Sequence, residues 1–219
     1  MGKEIDLLKN YPKANRDTSL RAKLKTDQDR EIARRFDKDF FDGDRKHGYG
    51  GFSYNKKFWV PVIPTLVKYW NLNKNSSVLD VGCGKGFMLY DLKQEIPKIK
   101  ISGVDISNYA IKNAKNEIKN FVQVANAKEL PFEDNSFDVV VSINTVHNLE
   151  KEDCGKALRE ISRISKKYSY ITVDAYRTEQ EKIRMFEWNL TAKTILSVNE
   201  WKNFFYENNY DGDYFWFIP

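Results

Sequence analysis

A run of β-branched residues ending in three alternating glycines constrains this chain more than any other feature. Val78-Leu79-Asp80-Val81 reads as a buried strand, and Gly82-Cys83-Gly84-Lys85-Gly86 turns it directly into the helical pattern that begins at Phe87. Glycines at such a turn supply positive φ and let a ligand approach the backbone, while the helix behind them offers unpaired N–H groups to an anionic atom. The pattern is that of an α/β sheet whose strands end at a ligand site.

The rest of the chain agrees with that architecture. Residues 99–105, 121–124, 137–142 and 168–174 are further short strand-like runs, and residues 87–94, 107–119 and 151–165 between them carry apolar residues at helical spacing. Ile111, Ala114 and Ile118 mark one helix face, and Ala157, Ile161 and Ile164 another. Strand and helix in alternation predict a Rossmann-like, doubly wound, mostly parallel sheet with helices on both faces and a ligand crevice beyond the carboxyl ends of the strands. After Asp174 the sequence predicts a helix over 179–193, a capping box at Ser197 and Glu200 that opens a helix to Tyr206, a turn at Asp211-Gly212 and a last strand over 214–218.

Upstream, Thr26 is placed to cap a helix running to about Arg35, and residues 58–70 predict a helix with Pro61 and Pro64 in its first turns. Between them, residues 40–54 hold five aromatics and four glycines, which suits a binding loop better than a helix or strand. The boundary therefore falls between a helical and loop segment over 1–75, expected to act as a lid on the substrate side, and a sheet domain over 76–219.

Composition excludes several classes. The 219 residues suffice for one core, no apolar run approaches the length of a membrane span, and the N-terminus mixes both charge signs without an apolar signal core. Gly2 does not open a myristoylation motif, because Asp6 stands where that motif wants Ser or Thr. Cys83 and Cys154 are distant and outside any C-x-x-C pattern, so neither disulfides nor a metal site is expected, and a reducing cytoplasm is the default compartment. The net charge of +5 is spread among interleaved acids and bases, which makes a solvated face rather than a nucleic-acid patch.

The chemistry follows from where the motif departs from a dinucleotide fingerprint. G-x-G-x-x-G wants a glycine where Phe87 stands, which counts against NAD. Asp105 ends the second strand, where a carboxylate can accept hydrogen bonds from both ribose hydroxyls of a nucleoside. Downstream come Ala125-Asn126-Ala127-Lys128-Glu129-Leu130-Pro131-Phe132 and then Phe137-Asp138-Val139-Val140-Val141-Ser142-Ile143-Asn144-Thr145-Val146-His147-Asn148-Leu149. Together with the glycine turn, these segments resemble the class I S-adenosylmethionine-dependent methyltransferases of the methyltransferase-11 type, over residues 77 to about 174.

The resemblance implies a cofactor, S-adenosylmethionine, leaving as S-adenosylhomocysteine. It implies that Asp80, Gly82, Cys83, Gly84 and Gly86 enclose the methionine end, and that Asp105 and Ile106 hold the ribose side. Asn126, with Ala127, would meet the adenine where the family usually has Asp, and Asn144 completes the set. Cys83 itself reads as a small filler rather than a nucleophile. The family usually ends in a β-hairpin; here one terminal strand is evident, so its partner is missing or lies around Thr191 to Leu196.

His147 is the candidate catalytic residue, as a general base with an imidazole suited to neutral pH, or else as a polar residue lining the cofactor pocket. Arg45, His47, Tyr49, Tyr54 and Tyr176 are the candidate substrate contacts, from the 42–54 loop and the end of the fifth strand. Asp174 and Arg177 follow the same strand. No N-P-P-Y-type motif follows the fourth strand, so the expected acceptor is a small or medium-sized metabolite, with nucleic acid disfavoured and a monomer or homodimer equally open. The rival readings are an RNA or protein methyltransferase, a non-catalytic cofactor-binding subunit, and an NAD-dependent enzyme.

Overall fold

The computed structural model describes residues 2–13, 25–50 and 53–219; Lys23 and Leu24 of the charged N-terminal stretch, and Gly51 and Phe52 of the glycine-aromatic stretch, lie outside the described residues. Its centre is a parallel sheet of seven strands: β1 (Ser77–Val81), β2 (Lys100–Asp105), β3 (Val122–Val124), β4 (Phe137–Ile143), β5 (Ser165–Tyr176), β6 (Leu196–Ser197) and β7 (Asp213–Phe217). The order runs β3-β2-β1-β4-β5, so the strand order reverses between β1 and β4. That reversal opens the crevice where ligands of such sheets bind. Register fixes the levels: Asp80 pairs with Val141, and Val141 with Tyr170.

Both faces are covered, and each helix shows why. The helix Lys151–Ile164 buries Cys154, Ala157, Leu158, Ile161 and Ile164, a stripe at i, i+3, i+4, i+7 spacing, in one core with Val140, Ile171 and Val173. Leu158 is fully buried there, so truncation to alanine costs about 2–5 kcal/mol. The other face holds Val78, Met88, Leu89, Val139 and Tyr170, and the N-terminal segment shares that core through Leu7, Ile63, Leu66 and Trp70. Ile5 N donates to Tyr214 O at 2.9 Å and Tyr214 N to Lys3 O at 3.0 Å, which satisfies the outer edge of β7.

Several elements depart from the sequence expectation. The helix expected over 107–119 is an α-helix only over Asn108–Lys112, followed by a 3₁₀ turn over Asn116–Phe121. Asn113 turns its side-chain amide back to Tyr109 O at 2.8 Å, and Lys115 N bonds Lys85 O at 3.3 Å, which draws the chain off the helix axis. The helix expected over 58–70 is split into Lys56–Trp59 and Ile63–Trp70, because Pro61 has no N–H to continue the first piece. Thr26 caps Asp27–Ala33 with Asp29 completing a capping box. The helix that opens at Glu179 ends at Trp188, where the Asn189 side chain accepts from Ala192 N and donates to Ala192 O, each at 2.8 Å.

No terminal hairpin forms among the described residues. β7 pairs parallel with β5 over Tyr170 to Asp174, and the two-residue β6 continues along the same edge beside Ala175 and Tyr176. The capping box at Ser197 and Glu200 is present and opens Val198–Glu207. Among the described residues no helix is long and apolar enough to cross a membrane.

Candidate functional site

The glycine turn sits at the top of β1 as the sequence requires. Gly82, Gly84 and Gly86 have φ of +86°, +54° and +73°, in the left-handed region that side chains rarely adopt. A Cβ on Gly82 would overlap the Thr145 side chain, and one on Gly86 would overlap Ile118. The turn is pinned to β2 by Gly82 N and Cys83 N, which donate to Val104 O at 2.7 and 3.0 Å. Gly86 caps the helix Phe87–Glu95 with no side-chain acceptor, so first-turn N–H groups are left for a ligand.

Two carboxylates stand beside this turn with different surroundings. Asp105 is buried, with Oδ2 accepting from Gly84 N and Oδ1 from Ser107 N, both at 2.8 Å. Burial raises its pKa while those two N–H groups oppose the rise. Each oxygen retains a lone pair for a further donor. Asp80 is also buried, but among the described residues no hydrogen-bond donor reaches it, and burial followed by the charge of Asp105 pushes its pKa up to about 8. A carboxyl held protonated beside an open cavity is one that a cation would ionise.

That cavity, about 200 Å³, is floored by Asp80, Gly82, Cys83 and Gly84 and walled by Phe40, Phe41, Phe58 and Trp59 from the N-terminal segment. Phe40 and Phe41 lie in the stretch expected to form a binding loop, whereas Phe58 and Trp59 join them only through the fold. Phe41 lies directly over Gly84, and its neighbour Asp42 accepts from Lys85 Nζ at 2.5 Å and from Tyr109 OH at 2.7 Å. One side chain thus ties the N-terminal segment both to the glycine turn and to the helix after β2. The Cys83 thiol is raised well above its ordinary pKa, by burial first and then by Asp80 and Asp105, which leaves it inert as a nucleophile.

The remaining cofactor candidates lie along the same edge. Ala125 N donates to Asp105 O at 3.0 Å, so the chain passes the end of β2 just before Asn126, whose Oδ1 accepts from Lys128 N at 3.2 Å. Ala127 packs against the core, and Ile106 is 53% exposed, an unusual position for a large apolar residue beside a buried acid. Asn144 adopts φ of +51° with Oδ1 accepting from Thr172 Oγ1 at 2.8 Å, which turns the chain at the end of β4.

The substrate candidates do not meet in one place. Tyr54 OH donates to Asp91 Oδ1 at 2.6 Å, on the Phe87–Glu95 helix. Arg45 rests against Gly50, and His47 Nε2 contacts Asp29 Oδ1 at 2.9 Å. Tyr176 OH donates to Glu200 Oε2 at 3.5 Å, and Lys182 Nζ lies 5.5 Å from the centre of its ring. Tyr49 is different: its hydroxyl turns inward and accepts from Leu190 N at 2.8 Å and Thr191 N at 3.3 Å, above the end of β5. Burial, then the nearby charge of Asp174, pushes the Tyr49 phenol up to about 12.

His147 is buried, and its Nδ1 accepts from Asp174 N at 2.9 Å. A neutral imidazole that accepts at Nδ1 carries its proton on Nε2, which faces Asp174 Oδ1 at 3.9 Å. Burial lowers its pKa, opposed by Asp174. The ring has no spare lone pair in this arrangement, and it does not line the cavity beside Gly84.

Comparison with known proteins agrees with this arrangement. A family model described as a methyltransferase domain matches residues 72–209. The demethylmenaquinone methyltransferase of Symbiobacterium thermophilum is 32% identical over 152 residues, 65% of this chain and 59% of that protein. An uncharacterised protein of Methanocaldococcus jannaschii is 33% identical over 117 residues, 52% of this chain and 43% of its own length. The chain therefore spans about half the length of these curated relatives. Among solved structures, a protein in complex with the Haloferax volcanii Trm112 methyltransferase activator has a TM-score of 0.54 at 25% identity, covering 65% of this chain and 66% of that one. YcgJ of Bacillus subtilis has the same TM-score at 22% identity, covering 67% and 66%, and shares the fold. With the family model on more than half its residues, and the glycine turn and reversed strand order where that fold places them, the chain belongs to the class I S-adenosylmethionine-dependent methyltransferases.

Proposed function

We propose that the protein transfers a methyl group from S-adenosylmethionine to a small or medium-sized metabolite and releases S-adenosylhomocysteine. The observation that carries this reading is Asp80: a buried carboxyl without a donor among the described residues, facing a cavity beside three left-handed glycines. The cofactor's α-ammonium and sulfonium are cations that would ionise it, and its α-carboxylate suits the open first turn at Phe87. Asp105 would take the ribose hydroxyls on its remaining lone pairs. Ile106 would supply an apolar face to the adenine, and Asn126 would bond its edge. Ala127 and Asn144 would shape the walls.

When bound, the cofactor supplies a methyl group already activated on sulfonium. The chain's task is then to hold the acceptor in line and keep water out, and orientation alone lowers such barriers by several kcal/mol. His147 acts here as a positioning residue, locking the loop after β4 to Asp174 through Nδ1. The aromatic wall of Phe40, Phe41, Phe58 and Trp59 serves as the lid. The cavity is smaller than the roughly 300–1,000 Å³ of small-molecule pockets, so this wall moves outward to admit a nucleoside and settles back over it.

The named relatives include proteins acting on a demethylmenaquinone and on a tRNA carboxymethyluridine, so their names do not select the acceptor. Native mass spectrometry of freshly purified protein tests the reading, followed by incubation with methyl-labelled S-adenosylmethionine and a metabolite extract. Retained cofactor or product, and label in a small molecule, are expected. Neither adduct nor label in any fraction would overturn it.

A further inference from the structure

A second group of side chains, at the carboxyl ends of β5 and β7, is absent from the methyltransferase motifs. Lys25 is buried, and its ammonium lies 5.7 Å from the centre of the Tyr49 ring and 5.8 Å from that of Trp188. The two rings stack at 5.7 Å, and Lys25 Nζ also reaches Trp188 O at 3.4 Å. Ring faces within about 6 Å of a cation attract it through the ring quadrupole, the more so where water is excluded. Trp188 packs on Phe217 at 5.8 Å, and Phe217 is the register partner of the buried Asp174. The charge of Asp174 also reaches the Tyr49 hydroxyl. An ammonium and two aromatic faces thus meet beyond the carboxyl end of β5, on the side of Phe217 and within electrostatic reach of the buried Asp174.

This group adjoins the cofactor cavity. Phe40, which lines that cavity, meets the Tyr49 ring edge-on at 6.3 Å. β5 lies two strands from β1, about 10 Å across the sheet. An acceptor sits on this side if the cofactor lies over Gly84. Lys25 itself comes from the N-terminal segment, the same part of the chain that carries Phe40 and Phe41.

We propose that the acceptor is an amine, held as its ammonium against the Tyr49 and Trp188 rings where the Lys25 ammonium now lies, and that Lys25 is an internal stand-in for it. The inference rests on the methyltransferase reading above and names the substrate class of that site. The ammonium form of the substrate gives one proton to the Asp174 carboxylate, which frees its nitrogen lone pair. That pair forms the N–CH₃ bond as the C–S bond breaks, with the bonding electrons returning to sulfur. The products are the N-methylammonium, protonated Asp174 and neutral thioether; Asp174 then returns its proton to solvent when the lid opens. His147 cannot take that proton, because its Nδ1 lone pair is used by Asp174 N–H.

The test removes the stand-in and supplies its chemistry from solution. The full-length Lys25→Gly protein, without cofactor, is titrated calorimetrically with n-butylammonium chloride and with 1-butanol. The cation should bind at least tenfold more tightly than the alcohol, and adding Trp188→Leu should erase the difference. With S-adenosylmethionine present, mass spectrometry should then detect N-methylbutylamine. If Lys25→Gly does not fold, Lys25→Met keeps the stem and loses only the head, and is titrated with methylammonium against methanol, the methylated product being dimethylamine. Equal binding of amine and alcohol overturns the proposal, as does an amine that binds but stays unmethylated in protein shown to bind S-adenosylhomocysteine. Failure to bind S-adenosylhomocysteine at all removes the methyltransferase reading, and this inference with it.

Discussion

The two halves of the crevice are built in different ways. On the β1–β2 side, the turn at 82–86 and the acids Asp80 and Asp105 lie within one short stretch of chain, and the turn is fixed by backbone bonds to Val104 O. On the β4–β5 side, Tyr49 meets Leu190 across 141 residues, and Lys25 meets Trp188 across 163. The first half is set by backbone conformation and so tolerates little change. The second is set by packing between distant segments, which is where related folds can vary their acceptors.

The largest expected effect breaks the rigid half. Gly82→Ala forces a left-handed φ on a side chain, costing about 1–2 kcal/mol, and drives its Cβ into Thr145, costing about 1–3 more. Urea unfolding should show a loss of about 3 kcal/mol; a loss below about 1 would mean that the turn can relax.

His147→Ala acts on the other half. It leaves the buried Asp174 N–H without its acceptor, which costs about 1–3 kcal/mol of stability. It should slow turnover more than it weakens S-adenosylhomocysteine binding. Burial holds the native imidazole neutral, so the unfolded chain binds the proton first and stability falls as pH drops below the ordinary imidazole value of 6.5. Replacement by Ala should remove that acid limb, as read from melting temperature between pH 7 and pH 5.

Asp105→Ala should weaken S-adenosylhomocysteine by about 1.5–3 kcal/mol in calorimetry, the cost of removing a charged acceptor. Unchanged affinity would take Asp105 out of the site.

Asp80 separates the liganded from the free protein. Its carboxyl is raised from 3.8 to about 8. The native state therefore keeps a proton that the unfolded chain releases, so this stabilising contribution is full below about pH 4 and fades as pH rises through about 8. Asp80→Asn should flatten that decline in ligand-free protein. In the native sequence, S-adenosylmethionine binding at pH 7 should release a proton, seen as a dependence of binding enthalpy on buffer ionisation. The smallest effect is at the lid: Asp42→Asn weakens a partly exposed tie to Lys85 and should cost under about 1 kcal/mol, while speeding cofactor exchange a few-fold in stopped flow.

The contrast also explains what the amino-acid sequence discloses. The glycine turn, Asp105 and the five main strands are local patterns, in which residue type, spacing and backbone conformation coincide. The break of the 107–119 helix at Asn113, the missing hairpin and the parallel β7 depend on tertiary bonds that periodicity does not encode. Phe40 and Phe41 were visible as aromatic density without a partner, and only the fold puts them over Gly84. Trp188 ends a helix that its pattern extends to Lys193, and Lys25 sits among ordinary surface charges, so neither carried a signal. Conversely, His147 stands where a base would be sought, but the bond to Asp174 N that occupies its lone pair is invisible in the sequence.

The central claim is that separate stretches around Asp80, Asp105 and Asn126 converge to grip a sulfonium nucleoside. Calorimetric titration of ligand-free protein with S-adenosylhomocysteine, and separately with NAD, tests it most directly. One saturable site for S-adenosylhomocysteine and no heat from NAD is the predicted result; binding of NAD with no response to S-adenosylhomocysteine would contradict it.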